Sequence, residues 1–302
     1  MAFFFDSFAG WKQYSIETGM TLPDIVLEYE LSQKGRNKEQ VIEGLAQAWA
    51  VMKDAVHTGL NEETVSRSGM INNGAKKVFR HPVAVLSPEF QKLIARALAA
   101  KEVNSCMGRV VAAPTAGASG IMPGVLFTLQ EIHAVEDRKI LDAMLISAGV
   151  ALIMEQKASI AGAVGGCQAE TGTAAAMGSA AITYCLGADI DTIFNSVAIT
   201  VQCMLGLVCD PVAGLVEVPC VVRNASAAAI ANSSAQIALA GVDSVIPVDE
   251  VVEAMGEIGA SMETRYKETA QGGLAATPTG QRIAKKVLIH DIEMLPDPPV
   301  EP

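Results

Sequence analysis

The sequence predicts an all-α protein, a compact helical domain whose Gly/Ala-rich central helices are buried. Three observations predict it. Helix start and stop signals recur along the chain, the apolar residues between them keep helical spacing, and convincing alternating strands are absent. Composition agrees, since 50% of the residues are hydrophobic while aromatics make up only 5%, with 26 Gly among 302 residues. Small side chains of this kind let helix axes approach closely.

Taken in order, Thr21-Leu22-Pro23 opens a helix, with Pro23 in the first turn where its missing N–H costs little. Asn37 followed by Gln40 has the pattern of a capping box, and Val41, Leu45, Trp49, Met52 and Val56 continue one helical stripe as far as Gly59. Ser87-Pro88-Glu89 starts another helix, with Leu93, Ile94, Ala97 and Leu98 on one face. Residues 248–258 read in the same way. Up to residue 104 the helices are amphipathic with mixed charges and are expected to pack on the core. Residues 105–290 form the core proper, poor in charge as far as about residue 241, with loops that bring backbone close to a ligand; the two segments are expected to form one continuous domain. The tail 291–302 is acidic and Pro-rich, and is expected to be disordered.

Charge limits the partners. A net charge of −11 and a pI near 4.9 argue against nucleic acid and against anionic membranes, which leaves a small molecule or a protein. The mean hydropathy of +0.32 raises the question of membrane spans. The long uncharged stretches 171–188 and 192–209 are rich in Ala, Gly, Thr and Ser and lack flanking Lys/Arg clusters, so they read as buried helices. The N-terminal MAFFFDSFAGWK has no basic region or cleavage site and does not read as a signal peptide. Six Cys without an export signal then predict reduced thiols in the cytoplasm.

Three segments of the core stand out. Thr115, Ala116, Gly117, Ala118, Ser119 and Gly120 lie in a run of small residues ahead of an apolar helix, and can present N–H groups to an anion such as a substrate carboxylate. A tight interhelical turn would have the same composition. In Gly165-Gly166-Cys167-Gln168-Ala169-Glu170-Thr171-Gly172 a Cys follows two glycines, with Gln and Glu close behind. In the third, Cys209 and Cys220 bracket a Pro/Gly turn. The four His (His57, His81, His133 and His290) are remote from all three, which counts against a mixed Cys/His zinc site. Thiolates on loops suit an iron–sulfur cluster, although this is not the compact ferredoxin spacing and buried Cys are common.

The runs GGCQAETG, GLVCDPVAGLVEVPC with the trailing Val221-Val222-Arg223-Asn224, and APTAGASGIMPG together resemble the α domain of the iron–sulfur-dependent L-serine dehydratases. The similarity covers most of 105–224 in order, and both flanks more loosely. It implies a helical domain whose loops carry a [4Fe–4S] cluster on Cys167, Cys209 and Cys220, and a Thr-containing glycine loop, 115–120, that faces the substrate. Gln168 and Glu170 are candidate hydrogen-bond partners of cluster or substrate, with a capping role as the alternative for Glu170. Arg223 is either a bidentate carboxylate ligand or half of a structural ion pair. Cys106, Cys185 and Cys203 read as small core residues, and Lys76-Lys77 as a solvated helix face.

The resemblance further implies the elimination of water from L-serine to give pyruvate and ammonia, a step of amino-acid catabolism that feeds gluconeogenesis. An iron left without a protein ligand would act there as a Lewis acid. The base that takes the Cα proton has no candidate among these motifs. Longer family members carry a second α/β domain with a Ser-rich motif ending in His, and some end in a Cys; this sequence has neither. Both departures fit the two-subunit form of the enzyme, in which a separate β chain is the partner, within a heterodimer or a higher oligomer. The rival readings are an iron–sulfur L-cysteine desulfidase of the same domain type and an iron–sulfur redox-sensing protein without turnover. The loop 115–120 weighs against a sensor, which needs no substrate loop.

Overall fold

A computed structural model describes residues 3–81 and 85–293. Within them the chain forms thirteen α-helices joined by short turns, and no strand; a single antiparallel bridge joins Val65 and Asn72. In chain order these are α1 (Phe8–Thr18), α2 (Leu22–Lys34), α3 (Lys38–Asn61), α4 (Gly74–Arg80), α5 (Pro88–Ser105), α6 (Ile121–His133), α7 (Asp137–Ala158), α8 (Gly162–Gly165), α9 (Thr173–Cys185), α10 (Ile190–Met204), α11 (Cys220–Leu239), α12 (Val248–Ser261) and α13 (Pro278–Glu293). The all-α expectation holds. No described helix is long and apolar enough to cross a membrane.

The local signals form as their chemistry requires. Thr21 Oγ1 accepts from Asp24 N–H with Pro23 in the first turn of α2. At α3 the capping box is reciprocal: Gln40 N–H donates to Asn37 Oδ1 at 2.9 Å and Asn37 N–H to Gln40 Oε1 at 3.0 Å. Ser87 Oγ accepts from Phe90 N–H at the start of α5. Val41, Trp49, Met52 and Val56 of the α3 stripe are buried. Small residues set the approach of the helices, as at Gly124 on α6, where a Cβ would lie 2.8 Å from the Ala97 backbone nitrogen on α5.

The core is centred on α9, which packs against α6, α7, α10 and α11 and in which every residue except Tyr184 is buried. Burying its larger side chains, such as Met177 and Ile182, stabilises the fold by about 2 kcal/mol each. The helix α5 packs on α3, α6 and α11, so the segment before residue 105 contributes directly to the surroundings of the core. The expected tail begins inside α13, and residues 294–302 lie outside the described residues. Because α10 runs back along α9 and α11, the start of α9, the end of α10 and the start of α11 meet: Gln168 N–H donates to Leu207 O at 2.9 Å and Arg223 Nη1 to Val208 O at 2.9 Å. The singled-out segments gather at that end of the bundle.

Candidate active site

Cys167 follows Gly166, whose φ of 75° is open to glycine at no steric cost, and leads into a wide π-turn over Gln168–Gly172 ahead of α9. Cys209 lies on the extended segment after α10, its N–H bonded to Tyr266 O at 2.8 Å. Cys220 is the first residue of α11. All three are buried free thiols. Only Cys167 has a described side-chain partner close by, Thr171 Oγ1 at 2.8 Å. Burial pushes the Cys167 thiol up, opposed by Thr171 and Arg223. Burial, reinforced by Cys167, pushes Cys220 up to about 12. It raises Cys209 as well, with Cys167, Glu268 and Cys220 adding to the effect. Cys209 thus feels both other thiols and Cys220 feels Cys167, so a set of three thiolates here would need positive charge from a bound group or a neighbour.

The donor set fits an iron–sulfur cluster better than a single ion. No three His, Cys, Asp or Glu among the described residues converge on one point. A cluster does not ask for that, because each thiolate takes its own iron. Gly162 faces this group: a Cβ there would have Cys209 Sγ at 3.5 Å, Glu170 Oε2 at 3.6 Å and Glu268 Oε2 at 3.4 Å, so the two carboxylates and the thiol surround one small residue.

The glycine loop forms a 3-10 turn, Ala116–Ala118, leading into α6. The N–H groups of Ala118 and Ser119 close the turn on Thr115 O and Ala116 O. Gly120 N–H donates to Asn224 Oδ1 at 2.9 Å, and Asn224 Nδ2 donates to Gly117 O at 2.8 Å and to Cys220 O at 2.9 Å. One fully buried side chain thus ties the loop to the turn that carries Cys220. A second tie joins it to the Cys167 turn, where Thr115 Oγ1 donates to Glu170 Oε1. Gly117 is needed for this contact, since a Cβ there would lie 2.6 Å from Glu170 Cδ. Burial raises the Glu170 carboxyl; Thr115 opposes that and Glu268 adds to it. Ser119 Oγ is buried without a hydrogen-bond partner.

Ala116 and Gly117 form one wall of a cavity of about 970 Å³, closed by Arg67, Ser68, Glu217 and, from α13, Lys286. The loop before α4 is held over it by two buried carboxylates. Glu217 Oε2 accepts from Ser66 Oγ at 2.6 Å and Ser68 Oγ at 2.5 Å, while Glu102 Oε2 accepts from Thr64 Oγ1 at 2.7 Å.

Two of the expected site residues are committed inside the protein. Gln168 donates through Nε2 to Met255 O at 2.9 Å and accepts from Gly206 N–H at 2.8 Å, which uses both ends of its amide. Arg223 Nη2 pairs with Asp210 Oδ1 at 2.9 Å, the ion-pair alternative left open above. Of the other cysteines Cys185 is buried as expected, but Cys106 is half-buried and Cys203 is exposed, at a surface pocket between α10 and α11, so these two are not core residues. Sequence reasoning missed Asn224, although it closes the quoted motif, as well as Lys101, Glu217 and Glu268. His57, His81 and His133 are all exposed and remote from this end of the bundle in the contacts they make, His57 stacking on Phe127 with ring centroids 5.3 Å apart.

Comparison with known proteins yields a consistent set. The family model described as serine dehydratase alpha chain matches residues 17–275. A probable L-serine dehydratase alpha chain of Bacillus subtilis is 40% identical over 274 residues, covering 90% of this chain and 91% of the relative. The L-serine dehydratase alpha chain of Peptoniphilus asaccharolyticus is 41% identical over 275 residues, covering 90% and 94%. L-serine dehydratase 2 of Escherichia coli is 34% identical over 284 residues, 90% of this chain and 61% of that longer protein.

Proposed function

The chain belongs to the serine dehydratase alpha chain family, and from that premise we propose that it is the cluster-bearing subunit of an L-serine dehydratase, a lyase that converts L-serine to pyruvate and ammonia. The observation that carries the reading is the double tie of the glycine loop, through Asn224 to the Cys220 turn and through Thr115 to Glu170 beside Cys167. These ties support reading the loop, Cys167 and Cys220 as parts of one site.

In this proposal Cys167, Cys209 and Cys220 hold a [4Fe–4S] cluster. When bound, the cluster supplies a Lewis acid, which favours departure of the substrate hydroxyl as water. The chain's own residues orient the substrate. The backbone at Ala116 and Gly117, which lines the cavity, receives the carboxylate, with Thr115, Ser119 and Gly120 shaping the turn. Glu170, held by Thr115, faces the substrate ammonium. Gln168 and Arg223 act from behind, fixing the Cys167 turn and the Cys209 segment against the bundle. Glu217 and Glu102 hold the loop that closes the far side of the cavity. Loss of the Cα proton and of the β-hydroxyl, together one water, leaves aminoacrylate, which tautomerises to an imine that a second water hydrolyses to pyruvate and ammonia.

A positioned base must take the Cα proton, within about 3 Å or through one water. No described His reaches the site, so the base belongs to a β subunit that also covers the cavity. Anaerobic purification, iron and sulfide quantification, and serine-dependent pyruvate formation with and without the β chain test the reading. A protein that takes up no iron, or loads fully and turns over L-cysteine but not L-serine, would overturn it.

A further inference from the structure

The buried and half-buried cations among the described residues differ in their company. Arg96 pairs with Glu131, and Arg223 with Asp210 at 2.9 Å. Lys101, on α5, is 0% exposed, yet no described carboxylate lies within ion-pair distance of its Nζ. Its two hydrogen bonds go to neutral oxygens, Asn104 Oδ1 and, at 3.3 Å, Ala116 O of the glycine loop. Its Cβ backs directly onto Gly120, where an added Cβ would come within 2.9 Å. Taking an ammonium out of water costs several kcal/mol, and neutral partners offset only part of it. Such a group persists where the folded, loaded protein provides an anion.

Burial pulls the Lys101 ammonium below its ordinary range, and Cys220, Glu170, Glu217 and Cys167, in that order, oppose the effect. The two carboxylates already have donors, Thr115 for Glu170 and Ser66 with Ser68 for Glu217. The cation facing Cys167 is Arg223, whose charge is shared with Asp210, whereas at Cys220 the effect of Lys101 exceeds that of Arg223. Three thiolates carry more negative charge than an oxidised cluster core neutralises. Since Lys101 has no exposed surface, it does not line the cavity and does not touch substrate.

We propose that Lys101 is the resident cation of the three-cysteine pocket, a positioning residue that offsets the charge of the cluster-bearing thiolates while pinning the glycine loop through Ala116 O. This rests on the reading of Cys167, Cys209 and Cys220 given above. Two variants separate its charge from its hydrogen bond. Lys101→Met removes both at similar volume, and Lys101→Gln keeps a donor for Ala116 O without the charge.

The experiment reconstitutes the full-length chain anaerobically, wild type and variants in parallel, and measures iron and sulfide per chain, visible absorbance, its half-life in air, and the melting temperature before loading. Both variants should melt at or above the wild-type temperature when unloaded, because a lone buried charge has gone. Both should hold the cluster worse, with its lifetime in air shortened on the order of tenfold, the effect of one unit charge about 12 Å away at an effective dielectric of about 20. Wild-type cluster content and lifetime in the Gln variant would overturn the charge role. Unloaded variants melting well below wild type would assign the ammonium to the fold instead and would also overturn it. If the wild-type chain itself takes up no iron, the reading of the cysteines fails and this inference with it; loading of wild type and both variants alike sinks the Lys101 role alone.

Discussion

Replacing Asn224 by Ala probes the joint between the two halves of the site. Its side chain is fully buried and makes hydrogen bonds of 2.9, 2.8 and 2.9 Å to Gly120 N–H, Gly117 O and Cys220 O. Gly120 is buried, so its N–H would be left without an acceptor at a cost of about 1–3 kcal/mol. Gly117 is only half-buried and can turn to water, and the Cys220 carbonyl remains inside its own helix, so the other two bonds add about 1 kcal/mol together. The expected loss is about 2–4 kcal/mol, read as a lower urea midpoint at unchanged m. Release of the loop by even ~1 Å should also lower kcat/KM by about a hundredfold, mostly through KM if the loop binds the substrate carboxylate. Asn224→Asp, which retains the acceptor for Gly120 but turns an oxygen toward two carbonyls, should fall nearly as far. A midpoint shift worth under about 1 kcal/mol with wild-type KM would refute the idea that this residue joins loop and cysteines.

Cys167→Ser, Cys209→Ser and Cys220→Ser should each lose the cluster absorbance after reconstitution, whereas Cys185→Ala and Cys203→Ala should keep it; iron analysis decides. Gly117→Ala forces Glu170 aside and breaks its bond from Thr115, so kcat/KM for L-serine should drop about tenfold or more with iron content unchanged. Glu170→Gln, which keeps the shape and loses the charge, should raise KM for L-serine while leaving inhibition by hydroxy acids that lack the ammonium nearly unchanged. The cluster-free chain should lose stability as pH rises above about 8.5, where thiols of the unfolded chain ionise and those of the folded chain, Cys220 raised to about 12 among them, do not. Each such thiol contributes a fall of about 1.4 kcal/mol per pH unit, so Cys220→Ser should flatten the slope of urea stability against pH. An equal slope in that variant would contradict the burial argument.

Helix starts were legible because their chemistry is local: Asn37 with Gln40, Thr21 with Asp24 and Ser87 with Phe90 are all pairs three residues apart, and their bonds form whatever the rest of the chain does. The buried character of α9 was legible for a similar reason, since a run of small uncharged residues has no solvent-facing stripe. The cysteines and the glycine loop could be picked out as segments, but not the contacts that tie them together. Those depended on Asn224 meeting Gly120 across 104 positions and Thr115 meeting Glu170 across 55. Arg223 illustrates the same limit, for only the packing of the α10–α11 connection against α11 brings Asp210 to it. Lys101 shows it most clearly. In the sequence it is one Lys near the end of an amphipathic helix; whether such a side chain ends in water or buried against the glycine loop is decided by which faces of α5, α6 and α11 close on one another. Sequence by itself therefore determined the elements, the family and the chemical inventory. Tertiary structure decided the partners, because hydrogen bonds and charges act over a few ångströms in space and take no account of separation along the chain.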